Sequence, residues 1–248
     1  MTASCHLTTP RAFLRWQCVA SLLREWPPGR FLEMGAGRGD FTACLLAQGF
    51  SGVCYDLGAD NRQHLKNRFP PSTHPLQVVE DLQTVPEASF DYLLAFEVLE
   101  HIPNDAETLN QWLGHLRPGG RILLSVPAHQ RKFDREDHYN GHVRRYEKAQ
   151  LHALLTSNNI HTVQIVNYGF PLTNLLRLFN PLLFPSRTAH SQEERSIKSG
   201  LTRRCDRFLP NKNQPLPDFL LRACARLQRP FFDKDIGDGY VATGVKPA

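Results

Sequence analysis

Between residues 30 and 126 the chain alternates short apolar runs with stretches of helical periodicity. This alternation constrains the fold more than any other feature of the sequence. The runs are 30–34 RFLEM, 51–55 SGVCY, 75–79 PLQVV, 91–95 DYLLA and 120–126 GRILLSV. Helical patterns fall at 39–48, 60–68, 104–116 and 147–157, and a leading helix fits 11–25. Runs apolar at nearly every position suit strands buried on both faces, and helices between them cover a parallel sheet. Two further strands fit 161–168 and 239–245. The expected architecture is α/β, a Rossmann-like, seven-stranded, mostly parallel sheet with helices on both faces. Residues 1–168 and 237–248 would form that domain, and 169–236 a helical insertion between the last two strands. Asn104 followed by Glu107 predicts a capping box at the start of the 104–116 helix, and RPGG at 117–120 a turn out of it.

The first strand runs into GAGRGD, with Gly35, Gly37 and Gly39 at alternate positions after Glu33. A glycine loop between a strand and a helix lets backbone N–H groups and a helix N-terminus approach a ligand closely. About twenty residues later the second strand ends in Asp56, a carboxylate placed to accept from ribose hydroxyls. Asp81 follows the third strand, and the fourth runs through Ala95 and Phe96 into EVLEH.

This order of motifs resembles class I S-adenosylmethionine-dependent methyltransferases over about residues 30–168. The resemblance implies S-adenosylmethionine as cofactor, with Glu33, Gly35, Gly37, Gly39, Asp56, Asp81, Ala95 and Phe96 around it and Asp81 at the adenine. The stretch GHVRRY at 141–146 is similar to that of a small-molecule branch of the family. A hydroxyl acceptor must lose a proton on methylation, and His142 and His101 are the candidate bases. Glu97, Glu100 and His101 are spaced to share one helix face. Ubiquinone-pathway O-methyltransferases and small-RNA 2′-O-methyltransferases are similar there, which implies that Glu97, Glu100, His101 and His142 form a candidate divalent-metal set.

Three function classes stay open. The first is a methyltransferase acting on a small, apolar or lipid-like acceptor, with oxygen favoured over nitrogen because histidine bases are at hand. The second is a metal-dependent RNA 2′-O-methyltransferase, and the third a non-catalytic cofactor-binding partner of another enzyme. The net charge of +5 is unevenly spread: residues 1–124 carry 10 Lys and Arg against 13 Asp and Glu, and 125–248 carry 19 against 11. A basic half suits an anionic partner, but its residues are not interleaved with aromatics that could stack bases, which disfavours RNA. Nothing points to DNA. The stretch GFPLTNLLRLFNPLLFP at 169–185 is apolar yet broken by three prolines, which suits a substrate lid or contact with a membrane surface. Without an N-terminal basic and apolar leader, and with six cysteines that form no C-x-x-C pair, the expected setting is cytoplasmic, with buried thiols.

Overall fold

The strands form where apolar side chains serve both faces of a sheet. In β1 (Arg30–Met34), Phe31 packs into one core cluster and Leu32 and Met34 into the other, each at most 1% exposed. The protein, described here from a computed structural model over residues 7, 9–177 and 218–248, places β1 at the centre of a seven-stranded sheet. Its strands are β2 (Ser51–Tyr55), β3 (Leu76–Val79), β4 (Phe90–Phe96), β5 (Leu116–Pro127), β6 (His161–Tyr168) and β7 (Gly239–Val245). The order is β3-β2-β1-β4-β5-β7-β6, with β7 antiparallel to both neighbours and the other pairings parallel.

Helices cover both faces. On one side α1 (Pro10–Leu23), α2 (Asp40–Leu46) and α3 (Ala59–Arg68) contribute Trp16, Val19, Phe41, Leu45 and Leu65. On the other, α4 (Asp105–Gly114) and α6 (Lys148–Ser157) contribute Leu109, Trp112, Leu113, Leu151 and Leu155. A six-residue helix, α5 (Arg135–Asn140), lies in the connection from β5 to α6. Between β6 and β7 the described helices are α7 (Leu172–Arg177) and α8 (Asp218–Gln228). The Gln228 side chain ties α8 to its surroundings, donating to Leu14 O and accepting from Gly169 N–H.

The course differs from the sequence reading in four places. RPGG does not turn the chain out of a helix; it lies within β5, which already pairs with β4 at Leu116, and Gly119 takes a φ of 72° there. Asn104 makes no side-chain cap, because its backbone (φ −99°, ψ 58°) departs from the extended conformation usual at that position. Glu97 is not on a helix with Glu100 and His101, since it follows β4 directly with a φ of 59° and only Leu99–His101 form a 3₁₀ turn. Finally, Cys18, Cys54 and Cys224 are free, but Cys44 is disulfide-bonded.

Candidate active site

In this strand order the chain leaves β1 toward β2 and β3, then returns to β4 on its other side. The C-terminal ends of β1 and β4 therefore border the crevice where open α/β sheets bind ligands. The glycine loop occupies it. Gly35, Gly37 and Gly39 have φ of 65°, 54° and 72°, a region that side chains disfavour. A Cβ on Gly35 would lie 2.7 Å from Val98 Cγ2, so the loop is pressed against the segment that follows β4.

Asp56 fastens the loop from the β2 side. One carboxylate oxygen accepts from Gly37 N–H at 2.9 Å, the other from Gly58 N–H and Asn61 Nδ2 at 2.9 and 2.8 Å. Three of its roughly four lone-pair sites are thus taken. Glu33 is 3% exposed and accepts from Thr42 Oγ1 at 2.6 Å, beside Cys54 Sγ. Burial pushes its carboxyl up to about 7. Asp81 is exposed and caps the 3₁₀ turn Leu82–Thr84 by accepting from Gln83 N–H. Ala95 is buried, and Phe96 sits edge-on to Phe41 with ring centroids 4.7 Å apart.

On the β5 side, the structure brings together Glu100, His101 and His142, whose ligand atoms lie within 4.8 Å of one another. Glu100 is fully buried and neither of its oxygens has a hydrogen-bond partner; burial, then repulsion from Glu97, holds its carboxyl well above the usual range. His101 packs edge-on to His142 at 4.8 Å, and burial followed by that neighbour pushes it down to about 3. His142 Nδ1 donates to Asp137 Oδ1 at 2.7 Å, while Nε2 lies 3.9 Å from Glu100 Oε1. Asp137 is fully buried, yet hydrogen bonds from His142 and Arg145 outweigh burial and keep it a carboxylate. With a carboxylate fixing Nδ1–H, the neutral ring keeps its Nε2 lone pair for a proton or a metal.

Glu97 does not join this group. Its Oε1 meets Arg15 Nη1 at 2.9 Å, Ser125 Oγ at 3.0 Å and Tyr168 OH at 3.2 Å. Burial alone would raise this carboxyl, but Arg15, then His142 and Ser125, hold it low. Arg15, Ser125 and Tyr168 were absent from the sequence reading. The signal for Arg15 was a pair of arginines, 11 and 15, one turn apart on an otherwise apolar helix face. Asp137, four residues before GHVRRY, is the anchor of both His142 and Arg145. Of the apolar stretch 169–185, residues 178–185 lie outside the described residues. So do residues 186–217, which carry part of the positive charge of the C-terminal half.

A family profile described as a methyltransferase domain matches residues 11–165, more than half of the chain. The chain belongs to the class I S-adenosylmethionine-dependent methyltransferases. Among curated relatives, the ubiquinone biosynthesis O-methyltransferase of Xylella fastidiosa strain 9a5c is 31% identical over 101 residues. That match covers 39% of this methyltransferase and 41% of the relative, so the chain spans about two fifths of that relative's length. Among solved structures, an Archaeoglobus fulgidus S-adenosylmethionine-dependent methyltransferase superposes with a TM-score of 0.55 at 15% identity, covering 93% of this chain and 94% of that one. Phosphoethanolamine N-methyltransferase 2 of Haemonchus contortus, solved with S-adenosylhomocysteine, gives 0.58 at 19% identity, covering 94% and 52%. At these identities the two structures speak for the fold alone.

Proposed function

We propose that this methyltransferase transfers a methyl group to an oxygen of a small, apolar or lipid-like acceptor, with His142 as the base. The observation that carries the reading is the Asp137–His142 pair at 2.7 Å, a carboxylate that orients an imidazole and leaves Nε2 basic. Gly35, Gly37 and Gly39 with Asp56 would hold the methionine and ribose end of S-adenosylmethionine, and Asp81 its adenine. Bound S-adenosylmethionine supplies a methyl group already activated by a sulfonium. What remains for the chain is to align an acceptor, exclude water and take a proton. The two described helices between β6 and β7, α7 and α8, would shield the acceptor. α8 exposes Phe219 and Leu227 beside Arg222 and Arg226, which suits weak contact with an anionic membrane surface.

A second reading is favoured by one observation, the two unpartnered oxygens of buried Glu100. A carboxylate and two imidazoles fit a divalent transition metal better than Mg²⁺. Glu100, His101 and His142 would hold the ion, with Asp137 orienting His142 behind it. A metal there would lower the pKa of a coordinated acceptor hydroxyl. The family's RNA 2′-O-methyltransferases and a non-catalytic partner role draw no comparable support.

In the base reading, His142→Ala lowers methyl transfer on the order of 10²-fold and leaves S-adenosylhomocysteine affinity nearly unchanged. Near-full transfer by that variant would contradict it. Transfer that collapses with a chelator and returns with Mn²⁺ or Zn²⁺ would establish the metal reading instead.

A further inference from the structure

Glu97 is the one acidic residue of EVLEH that the Glu100–His101–His142 group leaves out. Its placement is costly, because a residue with a side chain is held at a φ of 59° directly after β4. The backbone is pinned there by Glu97 N–H donating to Ser125 O at 2.9 Å. The side chain is fixed from three elements at once: Arg15 of α1, Ser125 of β5 and Tyr168 of β6. All three contacts go to Oε1. Among the described residues Oε2 has no partner, and the side chain retains 23% exposure. The restraint is reinforced behind the carboxylate, where the Arg15 guanidinium lies over the rings of Phe41 and Tyr168, 5.0 and 6.0 Å from their centroids. The result is a carboxylate clamped by one oxygen with the other left available.

The position of that oxygen follows from the topology. Val98, the next residue, is the side chain that leaves no room for a Cβ at Gly35. Glu97 thus stands beside the glycine loop, at the border between β1 and β4. Its partners all come from the other side of that border or from the helix above it. If S-adenosylmethionine lies on the glycine loop, Glu97 stands where its half of the crevice gives way to the half lined from β5 and β6.

Resting on the methyl-transfer reading above, we infer that Glu97 is an acceptor-binding carboxylate whose Oε2 accepts a hydrogen bond from a donor group brought to the methyl-transfer point. Because the reacting hydroxyl directs its proton to His142, the donor that Glu97 meets is a second one. The acceptor class is therefore a molecule that carries another hydroxyl or an amino group near the reacting oxygen. Arg15 is a positioning residue: it holds Oε1 so that Oε2 is presented.

Sinefungin tests this without knowledge of the acceptor, because it carries an amine where S-adenosylmethionine carries its transferable methyl. S-adenosylhomocysteine has no donor there. Calorimetry on the 248-residue chain should show sinefungin binding more tightly than S-adenosylhomocysteine. Glu97→Gln should erase that preference, by on the order of 10-fold or more, while S-adenosylhomocysteine affinity stays within about 3-fold. Glu97→Asp keeps the charge but draws the oxygen back, and should also lose most of the preference; a melting curve for each variant confirms folding. A sinefungin preference that survives both substitutions would overturn the inference. So would an equal loss for both ligands, which would reduce Glu97 to a tie between α1 and the sheet. Failure of the unsubstituted protein to bind S-adenosylhomocysteine would remove the cofactor reading and this inference with it.

Discussion

A carboxyl group buried in a protein interior costs free energy unless it is neutral or met by donors, and three glutamates at this crevice meet that demand differently. Arg15 faces Glu97 and holds its carboxyl low, whereas the Glu100 oxygens have no hydrogen-bond partner and burial holds that carboxyl well above the usual range. Glu33 has a hydroxyl donor, but burial still pushes it up to about 7. Its ordinary value is near 4.5, so between the two values the folded state holds a proton that the unfolded state has released. Stability therefore falls as pH rises from about 4.5 to about 7, with the full penalty present above 7. Glu33→Gln should flatten that slope and stabilise the protein at pH 8 by about 2–3 kcal/mol, read by urea unfolding at pH 5 and pH 8. An unchanged slope would contradict the assignment. Asp56 plays a different part, since its carboxylate joins the glycine loop to the end of β2 through Gly37 and Gly58. Asp56→Ala should weaken S-adenosylhomocysteine binding by about 1–3 kcal/mol, measured by calorimetry; an unaltered affinity would show that neither the loop nor the ribose depends on it.

At the scale of elements, the site is assembled by helices that reach over the C-terminal edge of the sheet. α1 does so with two arginines, Arg15 to Glu97 and Arg11 to Glu136 and Asp238. α5 supplies Asp137, which binds His142 and the buried Arg145 together. Removing Arg145 as Arg145→Met leaves Asp137 short of a partner in the interior. The expected cost is about 3–5 kcal/mol of unfolding free energy, checked by chemical denaturation; a change below 1 kcal/mol would mean that the pair is not a buried tie. α7 is drawn to the same cluster, with Arg177 Nη2 2.6 Å from Asp134 Oδ2 and Nη1 3.3 Å from Asp238 Oδ1. α8 packs Ala225 and Gln228 inward and turns Phe219, Arg222, Arg226 and Leu227 outward. If that face meets a bilayer, cosedimentation with anionic vesicles should exceed that with neutral ones and fade as salt is raised. Phe219→Ser with Leu227→Ser should reduce it further. Binding that ignores both lipid charge and salt would contradict this. Among the described residues no helix is long and apolar enough to cross a membrane.

For the whole molecule, the sheet was legible because strands buried on both faces read as unbroken apolar runs. All seven strands lie where such runs or alternations end in polar punctuation. The glycine loop was legible for a related reason, since only glycine accepts three left-handed positions in five residues. Less visible was whatever depended on local hydrogen bonding rather than periodicity. α5 has no apolar stripe; it is a polar turn of helix secured by Asp134 and Asp137 at its start. The spacing of Glu97, Glu100 and His101 suggested one helical face, but β4 runs through Phe96 and the chain turns sharply at Glu97. The division of labour between Glu97 and Glu100 came from Arg15, more than eighty residues away in sequence, which no local pattern could indicate.

The destination of the methyl group decides between these readings most directly. The protein should be incubated with S-adenosylmethionine labelled with ¹³C in its methyl group and a small-molecule metabolite extract, and the products followed by NMR. S-adenosylhomocysteine should accumulate above a heat-inactivated control, with the label in a methoxy group of a low-molecular-weight, organic-extractable product. Label confined to nitrogen, label found only in RNA, or no turnover above the control would contradict the proposed transfer to a small-molecule oxygen.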